Sequence, residues 1–597
     1  MLKHLIEFFG LLGRDERIKL FQIQFMIIFS SLLETLSVLS IGPFMTIVSS
    51  PEMVFSNRFF LEVSTFLNIQ EPNNFLIMFG GAILILMVLS AFFSMITIWR
   101  LSILGGKIGA NLSSRMFKHY ITLPFSFHLK TNSSELASKL IVESNRMTHS
   151  VVLQLLYLNS KIVLILLMIL TILITVPIIA IVSTILFFGC YVALYGFASN
   201  RLNRNGEVIS LESRSRMQTI NEGFGGIKDV LIYGLQKNFI NKYTQSTENY
   251  YASWSSNQVL SLLPRYAIEF AAYATMISAV IFLLFSFDNN ISKLLPVIAV
   301  FGLASMKLLP AFQQCYFSVS TMRANINAFF VVRDELVDIH NQENIVKKNN
   351  VSDNDITFLK SVTLNNVSFY YDKKQNYILK DISIEFKANQ TTGIVGASGS
   401  GKSTIINILT GLLPPSSGLV EVDGHELTES NLRSWQKKIG FVSQNIFLLD
   451  ASIRENIAFG NRAKDIDPKR MDQVIEMSQL DDFISTLPKG LETGVGERGV
   501  QLSGGQLQRV GIARALYCNP EIIVFDEATS NLDRISEKLI METIASLRNS
   551  TTIIMIAHRL STVKECDNIF LLNDGQVENS GNYEYLINNS SQFFNLT

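Results

Sequence analysis

Six stretches of this 597-residue chain are apolar over a length that crosses a bilayer, and all six lie before residue 325. They run near 19–49, 74–104, 150–175, 177–199, 257–287 and 294–322. Roughly 20 apolar residues suffice for one crossing, so each reads as a membrane span. The third and fourth are nearly continuous and divide at Pro177. One such stretch can be a buried core helix; six with few interruptions form a membrane domain. Mean hydropathy is +0.29, high for a soluble protein, and the excess lies in this first half. The length exceeds one hydrophobic core, so further domains are expected. The formal charge is zero and no segment forms a basic domain, which argues against a nucleic-acid partner.

Lys and Arg set the orientation. The 100–149 segment carries seven of them between Arg100 and Arg146, and the 200–256 segment carries seven between Arg201 and Lys242. The connections near 50–73, 176 and 287–293 offer Arg58 and Lys293. Positive segments stay in the cytoplasm, which places both termini and the polar C-terminal part there. Residues 1–18 alternate apolar and charged positions and lack a signal-peptide pattern; they read as an interfacial amphipathic helix and an uncleaved start. The four cysteines, Cys190, Cys315, Cys518 and Cys566, show no pair spacing, so they read as packing residues with no metal site.

The second half carries the chemistry. Gly396-Ala397-Ser398-Gly399-Ser400-Gly401-Lys402-Ser403 is a GxxxxGK[ST] loop between an apolar strand and a helix that continues through Thr404. Its glycines let backbone N–H groups fold around phosphates, and the helix N-terminus adds partial positive charge. Lys402 can reach the β- and γ-phosphates, and the Ser403 hydroxyl can bind Mg²⁺. Further on, Ile522-Ile-Val-Phe525 ends in Asp526-Glu527. An apolar strand ending in two carboxylates is common alone; beside a phosphate loop it suits Mg²⁺–ATP, with Asp526 on the metal and Glu527 polarising water.

Leu502-Ser503-Gly504-Gly505-Gln506 resembles the signature of ATP-binding cassette (ABC) proteins, and neighbouring residues match that family in order. The resemblance implies that Tyr371 stacks on adenine, Gln444 senses Mg²⁺, Ser530–Asp533 contacts an opposite subunit, and His558 senses the γ-phosphate. Glu497-Arg-Gly499 is similar to the exporter-type segment upstream of the signature. The implied fold is an α-helical exporter-type domain of six transmembrane helices, followed by an α/β P-loop domain with a Rossmann-like core and a helical insertion around 450–510. The boundaries read as 1–18, 19–324, a polar linker 325–357 and 358–597. Short coupling helices are expected within Lys118–Lys130 and Thr219–Gly234. Membrane domain first, on one chain, resembles half of an exporter. ATP is then sandwiched between two subunits, and the intact Glu527, His558 and signature favour two copies of the same chain.

Charged residues at membrane depth bear on the cargo: Glu34, Lys161, Arg265, Glu269 and Lys307. Each costs about 3 kcal/mol at mid-bilayer, so they should face the interior or a wet cavity. Arg265 and Glu269 are four apart and can instead pair along one helix. Glu34–Phe44 and Leu263–Glu269 resemble the first and fifth spans of bacterial flippases for lipid-linked oligosaccharides. That resemblance implies an ATP-driven glycolipid flippase of the bacterial inner membrane, with Arg265, Lys307 and Glu34 as substrate contacts. The alternative on the same fold is an exporter of peptides or hydrophobic drugs. No protease-like segment precedes the first span, which disfavours a leader-cleaving peptide exporter.

Overall fold

The structure of the chain, a computed structural model, describes all residues except 1–9, 11, 53–57, 67–68, 70, 176, 287–290, 349–354, 373–375, 497–498, 528–533, 549, 558 and 596–597. Two compact units divide it: Met1–Leu123 with Thr131–Ile345, and Pro124–Lys130 with Val346–Thr597. Of the expected N-terminal interfacial helix over 1–18, residues 1–9 and 11 lie outside the described residues, and its last five residues, Arg14–Ile18, already belong to the helix of the first span.

The first unit contains six helices long and apolar enough to cross a membrane: α1 (Arg14–Ser49), α2 (Pro72–Thr122), α3 (Ser133–Ile174), α4 (Ala180–Gly225), α5 (Gln236–Phe282) and α6 (Leu295–Ala324). Four of them run well past the apolar stretches, through the basic segments. The continuation of α2 shows why. Leu101, Leu104, Ile108, Leu112 and Met116 recur three or four apart and are all buried, so an apolar stripe persists after the lipid-length run ends. Glycines set how closely these helices approach. A Cβ at Gly109 would lie 2.3 Å from Thr148 of α3, and one at Gly206 of α4 would lie 2.1 Å from the backbone oxygen of Ala324 in α6. Both glycines lie beyond the apolar stretches, and there the missing side chain lets the continuations of neighbouring helices approach closely.

Within α3, two π-helical turns, Lys139–Glu143 and Thr148–Val152, bracket a buried ion pair. Arg146 lies 3.0 Å from Glu143, and the side chains are 11% and 6% exposed. The guanidinium also donates to Ser210 on α4 at 2.6 Å and to Asn325 at 3.0 Å. A buried charge needs this many partners to offset its lost hydration. The stretch expected as a polar linker opens with a further helix, α7 (Ile326–Lys348). Its Phe329, Val332, Leu336 and Ile339, again three or four apart, belong to the core of the first unit. The coupling-helix segments hold short helices, Phe125–Lys130 and Ile227–Ile232.

In the second unit, β1 (Ser361–Phe369), β2 (Leu379–Lys387), β4 (Ser417–Val422) and β5 (His425–Glu426) form an antiparallel sheet in the order β2-β1-β4-β5. A six-stranded sheet follows the order β10-β9-β3-β8-β7-β6. In it β3 (Thr391–Gly396), β6 (Ile439–Val442), β7 (Ile522–Asp526), β8 (Thr552–Ile556) and β9 (Asn568–Asn573) pair in parallel, and β10 (Gln576–Gly581) closes the edge antiparallel. The strands β3 and β8 are buried at every residue, as parallel strands covered on both faces must be. The helical insertion lies between β6 and β7, where it was expected. All four cysteines are free; Cys315 and Cys566 are buried, whereas Cys518 is exposed rather than packed.

Gly206→Val should lower the thermal unfolding midpoint of the detergent-solubilised protein by several degrees, because overpacking against a fixed carbonyl costs about 1–3 kcal/mol. Gly189→Ala, whose added Cβ meets nothing within 4 Å, should leave it unchanged. Equal midpoints for both variants would contradict this packing.

Candidate nucleotide-binding site

The site lies at the carboxyl ends of the parallel strands, where open α/β sheets bind ligands. β3 ends at Gly396, and the loop turns into α8 (Lys402–Leu409) through Gly399 and Gly401, at φ +83° and +100°. These left-handed angles cost a side-chain-bearing residue strain. At Gly401 a Cβ would also lie 2.5 Å from Leu379. Lys402 is buried, and its Nζ donates to the carbonyls of Gly396 and Ala397, each at 2.9 Å. Burial pushes its pKa down, while the Glu527 and Asp526 carboxylates oppose that shift. The Ser400 hydroxyl is buried in the loop and finds no partner among the described residues. A loop with an orphaned donor, a buried cation and a helix N-terminus of two turns fits an oxyanion ligand such as a phosphate chain.

The two carboxylates stand at the end of β7. Asp526 is half-buried, and its pKa is raised, first by burial and then by the Glu527 charge, with Lys402 pulling the other way. Glu527 adopts φ +52°, a conformation rare outside glycine, so its backbone is held against its own preference. Its N–H donates to Ile556 of β8 at 3.2 Å, which fixes the turn. Gln444, just beyond β6, donates its side-chain amide to the Glu527 carboxylate at 2.6 Å. Three residues distant in sequence but placed at the ends of neighbouring parallel strands thus meet. The Tyr371 hydroxyl lies 3.4 Å from the Thr404 hydroxyl of α8, which ties the aromatic residue to the loop. Among the described residues no group of three or more His, Cys, Asp and Glu could hold a metal ion.

The signature opens α9 (Gly504–Tyr517). Ser503 and Gln506 close a capping box: the Ser503 N–H donates to the Gln506 side chain at 2.8 Å, and the Gln506 N–H to the Ser503 hydroxyl at 3.3 Å. Gly505 is packed, since a Cβ there would meet the Ser536 hydroxyl at 2.4 Å. The sequence reading missed Arg514, also on α9. Its guanidinium donates to the carbonyls of Asn456 and Phe447 at 2.8 and 2.7 Å and to the Asn456 side chain at 3.0 Å, and lies 4.7 Å from the Phe459 ring. It holds the segment that follows Gln444 against α9. The one trace in the sequence was Ser452–Glu455, a capping box that starts a helix inside this segment. His558, Ser530–Asp533 and Glu497–Arg498 lie outside the described residues.

The membrane-depth residues do not converge. Glu34 accepts from the Ser94 hydroxyl at 2.7 Å. Arg265 pairs with Glu269 at 2.9 Å, and Gln313 of α6 donates to the same carboxylate at 3.3 Å. Lys307 is exposed. The described hydrogen bonds and ion pairs join none of Glu34, Arg265 and Lys307 to one another.

Comparison with known proteins agrees with this geometry. A family model for the ABC transporter transmembrane region matches residues 21–308, and one for the ABC transporter matches residues 379–530. The ATP-dependent lipid A-core flippase of Photobacterium profundum is 29% identical over 88% of this chain and 88% of its own length. The multidrug resistance protein sirA of Leptosphaeria maculans is 39% identical over 39% of this chain, but this chain spans only 18% of that protein. A solved bacterial Atm1-family ABC exporter with ATP bound shares the fold, with a TM-score of 0.76 at 22% identity over 97% of this chain and 98% of that one. The chain belongs to the ABC transporters, a multi-pass membrane protein whose ATP-binding domain couples ATP hydrolysis to transport.

Proposed function

We propose that two copies of this chain form an exporter of the bacterial inner membrane that flips a lipid-linked oligosaccharide or a related envelope glycolipid, driven by ATP. The ATPase part rests on one observation above others: Lys402, Gln444 and the adjacent pair Asp526 and Glu527 gather at the carboxyl ends of the parallel strands although they come from three distant parts of the sequence. In this reading the phosphates lie along Gly396–Thr404 and the adenine on Tyr371. Ser403, Asp526 and Gln444 hold Mg²⁺, which when bound draws charge from the phosphate oxygens. Glu527 takes the proton of the attacking water, Gln444 fixes the carboxylate that takes it, and His558 senses the γ-phosphate. Ser503, Gly504, Gly505 and Gln506 of one copy close over the nucleotide held by the other.

The cargo reading is supported by a full-length relative whose name describes flipping of a lipid A core, and by Arg265. That side chain is 61% exposed on α5 at membrane depth, while its charge is offset by Glu269, which is 24% exposed. An exposed guanidinium presents a planar donor fork that matches phosphate oxygens. The pair also explains how α5 carries an arginine in a bilayer at all.

Glu527→Gln should leave ATP binding intact and slow hydrolysis about 10²–10⁴-fold, because the amide keeps the size but cannot accept the proton. Turnover close to wild type would show that another group is the base. Cysteines placed at Ser398 in one copy and Ser503 in the other should cross-link between chains when ATP is added; cross-links confined to one chain would rule out the sandwich. In proteoliposomes carrying a polyprenyl-pyrophosphate oligosaccharide, Arg265→Ala should abolish flipping and lipid-stimulated hydrolysis while basal ATPase persists. Recovery of flipping in Arg265→Ala/Glu269→Ala would make the pair structural and remove the headgroup role.

A further inference from the structure

The first unit contains a cavity of about 140 Å³ that the charged residues at membrane depth do not line. It opens among α3, α4, α5 and α6. Its wall carries Tyr250, Trp254 and Phe317 as rings, with Asn257, Gln258 and Thr321 as amides and a hydroxyl. A cavity near 150 Å³ holds a benzene ring, and a pyranose with its hydroxyls is larger, so this space takes part of one sugar ring rather than a chain or a peptide.

The chemistry of the wall selects the kind of ring. Arg146 is the charged residue at the cavity, and its hydrogen bonds are committed to Glu143, Ser210 and Asn325. No uncommitted charge is therefore offered to a phosphate or a carboxylate. The carbonyl of Asn257 accepts from Asn205 at 2.8 Å, which turns its N–H donors to other use. Trp254 is 45% exposed and keeps ring surface open to a ligand. Tyr250 is braced by Arg216, whose guanidinium lies 4.7 Å from its ring centre. Flat apolar faces beside neutral donors and acceptors, in a space for part of one ring, match a pyranose: its C–H face stacks on an aromatic ring and its hydroxyls pair with amides.

Position gives a reason for a sugar to arrive there. Ser150 opens the third apolar stretch, Asn257 opens the fifth, and Thr321 ends the sixth, so the cavity lies at one membrane-water boundary. The flanking basic segments mark that boundary as cytoplasmic. A glycolipid in the cytoplasmic leaflet carries its head at this depth. We infer that this cavity, walled by Trp254, Tyr250, Asn257 and Gln258, is a pyranose subsite that captures one sugar of the glycolipid head before transport. The inference rests on the glycolipid reading for its cargo, but the sugar site can be tested without it.

Saturation-transfer NMR on the full-length protein in nanodiscs tests the site, with the methyl glycosides of glucose, galactose and N-acetylglucosamine as probes. At least one should receive saturation on its ring protons from the wild type. Trp254→Ala should remove that signal and Gln258→Ala should weaken affinity about tenfold, with basal ATPase retained in both as a measure of folding. Transfer to none of the three probes, or equal transfer in wild type and both variants, overturns the subsite. Should Trp254→Ala lose its ATPase, Gln258→Ala decides alone. ATPase stimulation by a polyprenyl-pyrophosphate oligosaccharide is scored separately. Glycoside binding without stimulation keeps the subsite and defeats the glycolipid reading, whereas stimulation without glycoside binding does the reverse.

Discussion

The bond between the Gln444 amide and the Glu527 carboxylate, at 2.6 Å, joins the parts of the nucleotide unit that must act together. Glu527 can receive it only because its backbone is held at φ +52° by the neighbouring strand. That strained turn is a cost that the six-stranded sheet absorbs, since β7 and β8 are buried and in register up to Asp526 and Ile556. Arg514 fastens the segment after Gln444 to the signature helix through Asn456 and Phe447. Electrostatics supports the same arrangement: burial lowers the pKa of Lys402 and raises that of Asp526, and the charge of each opposes the other's shift.

Much of this was legible before the structure. Residues at strand ends are set by short spacings that cannot vary without breaking the turn, which is why Lys402, Asp526 and Glu527 could be read from two short motifs. The six spans were equally plain, because a bilayer demands a length of apolar sequence that few other structures use. Gln444 was different: nothing local marks a glutamine after Val442, and its place was implied only by the order of motifs around it.

What was not legible depends on tertiary contacts. The segment 325–357 reads as polar because polar and charged letters together outnumber apolar ones, yet four residues at helical spacing bury α7 in the first unit. The pairing of β1 with β4 and the role of Arg514 left no signal of their own: the nearest β1–β4 partners, Ser368 and Ser417, lie 49 residues apart, and Arg514 reaches Asn456 and Phe447 across 58 and 67 residues. The capping box of Ser503 and Gln506 was hidden by a stronger meaning: the same letters read as a nucleotide signature. Arg265 and Glu269 were legible as a pair, but not the third member, Gln313, which arrives from another helix.

A double-mutant cycle on ATP turnover tests the central interaction most directly. Gln444→Ala, Glu527→Gln and the combined variant are compared at saturating ATP. If the amide acts by holding that carboxylate, the single losses overlap and the combined variant is faster than their product, any slowing beyond Glu527→Gln alone being the share of Gln444 in holding Mg²⁺. Losses that multiply, with the combined variant slower by the product of the single effects, would show the two residues acting independently and contradict the account.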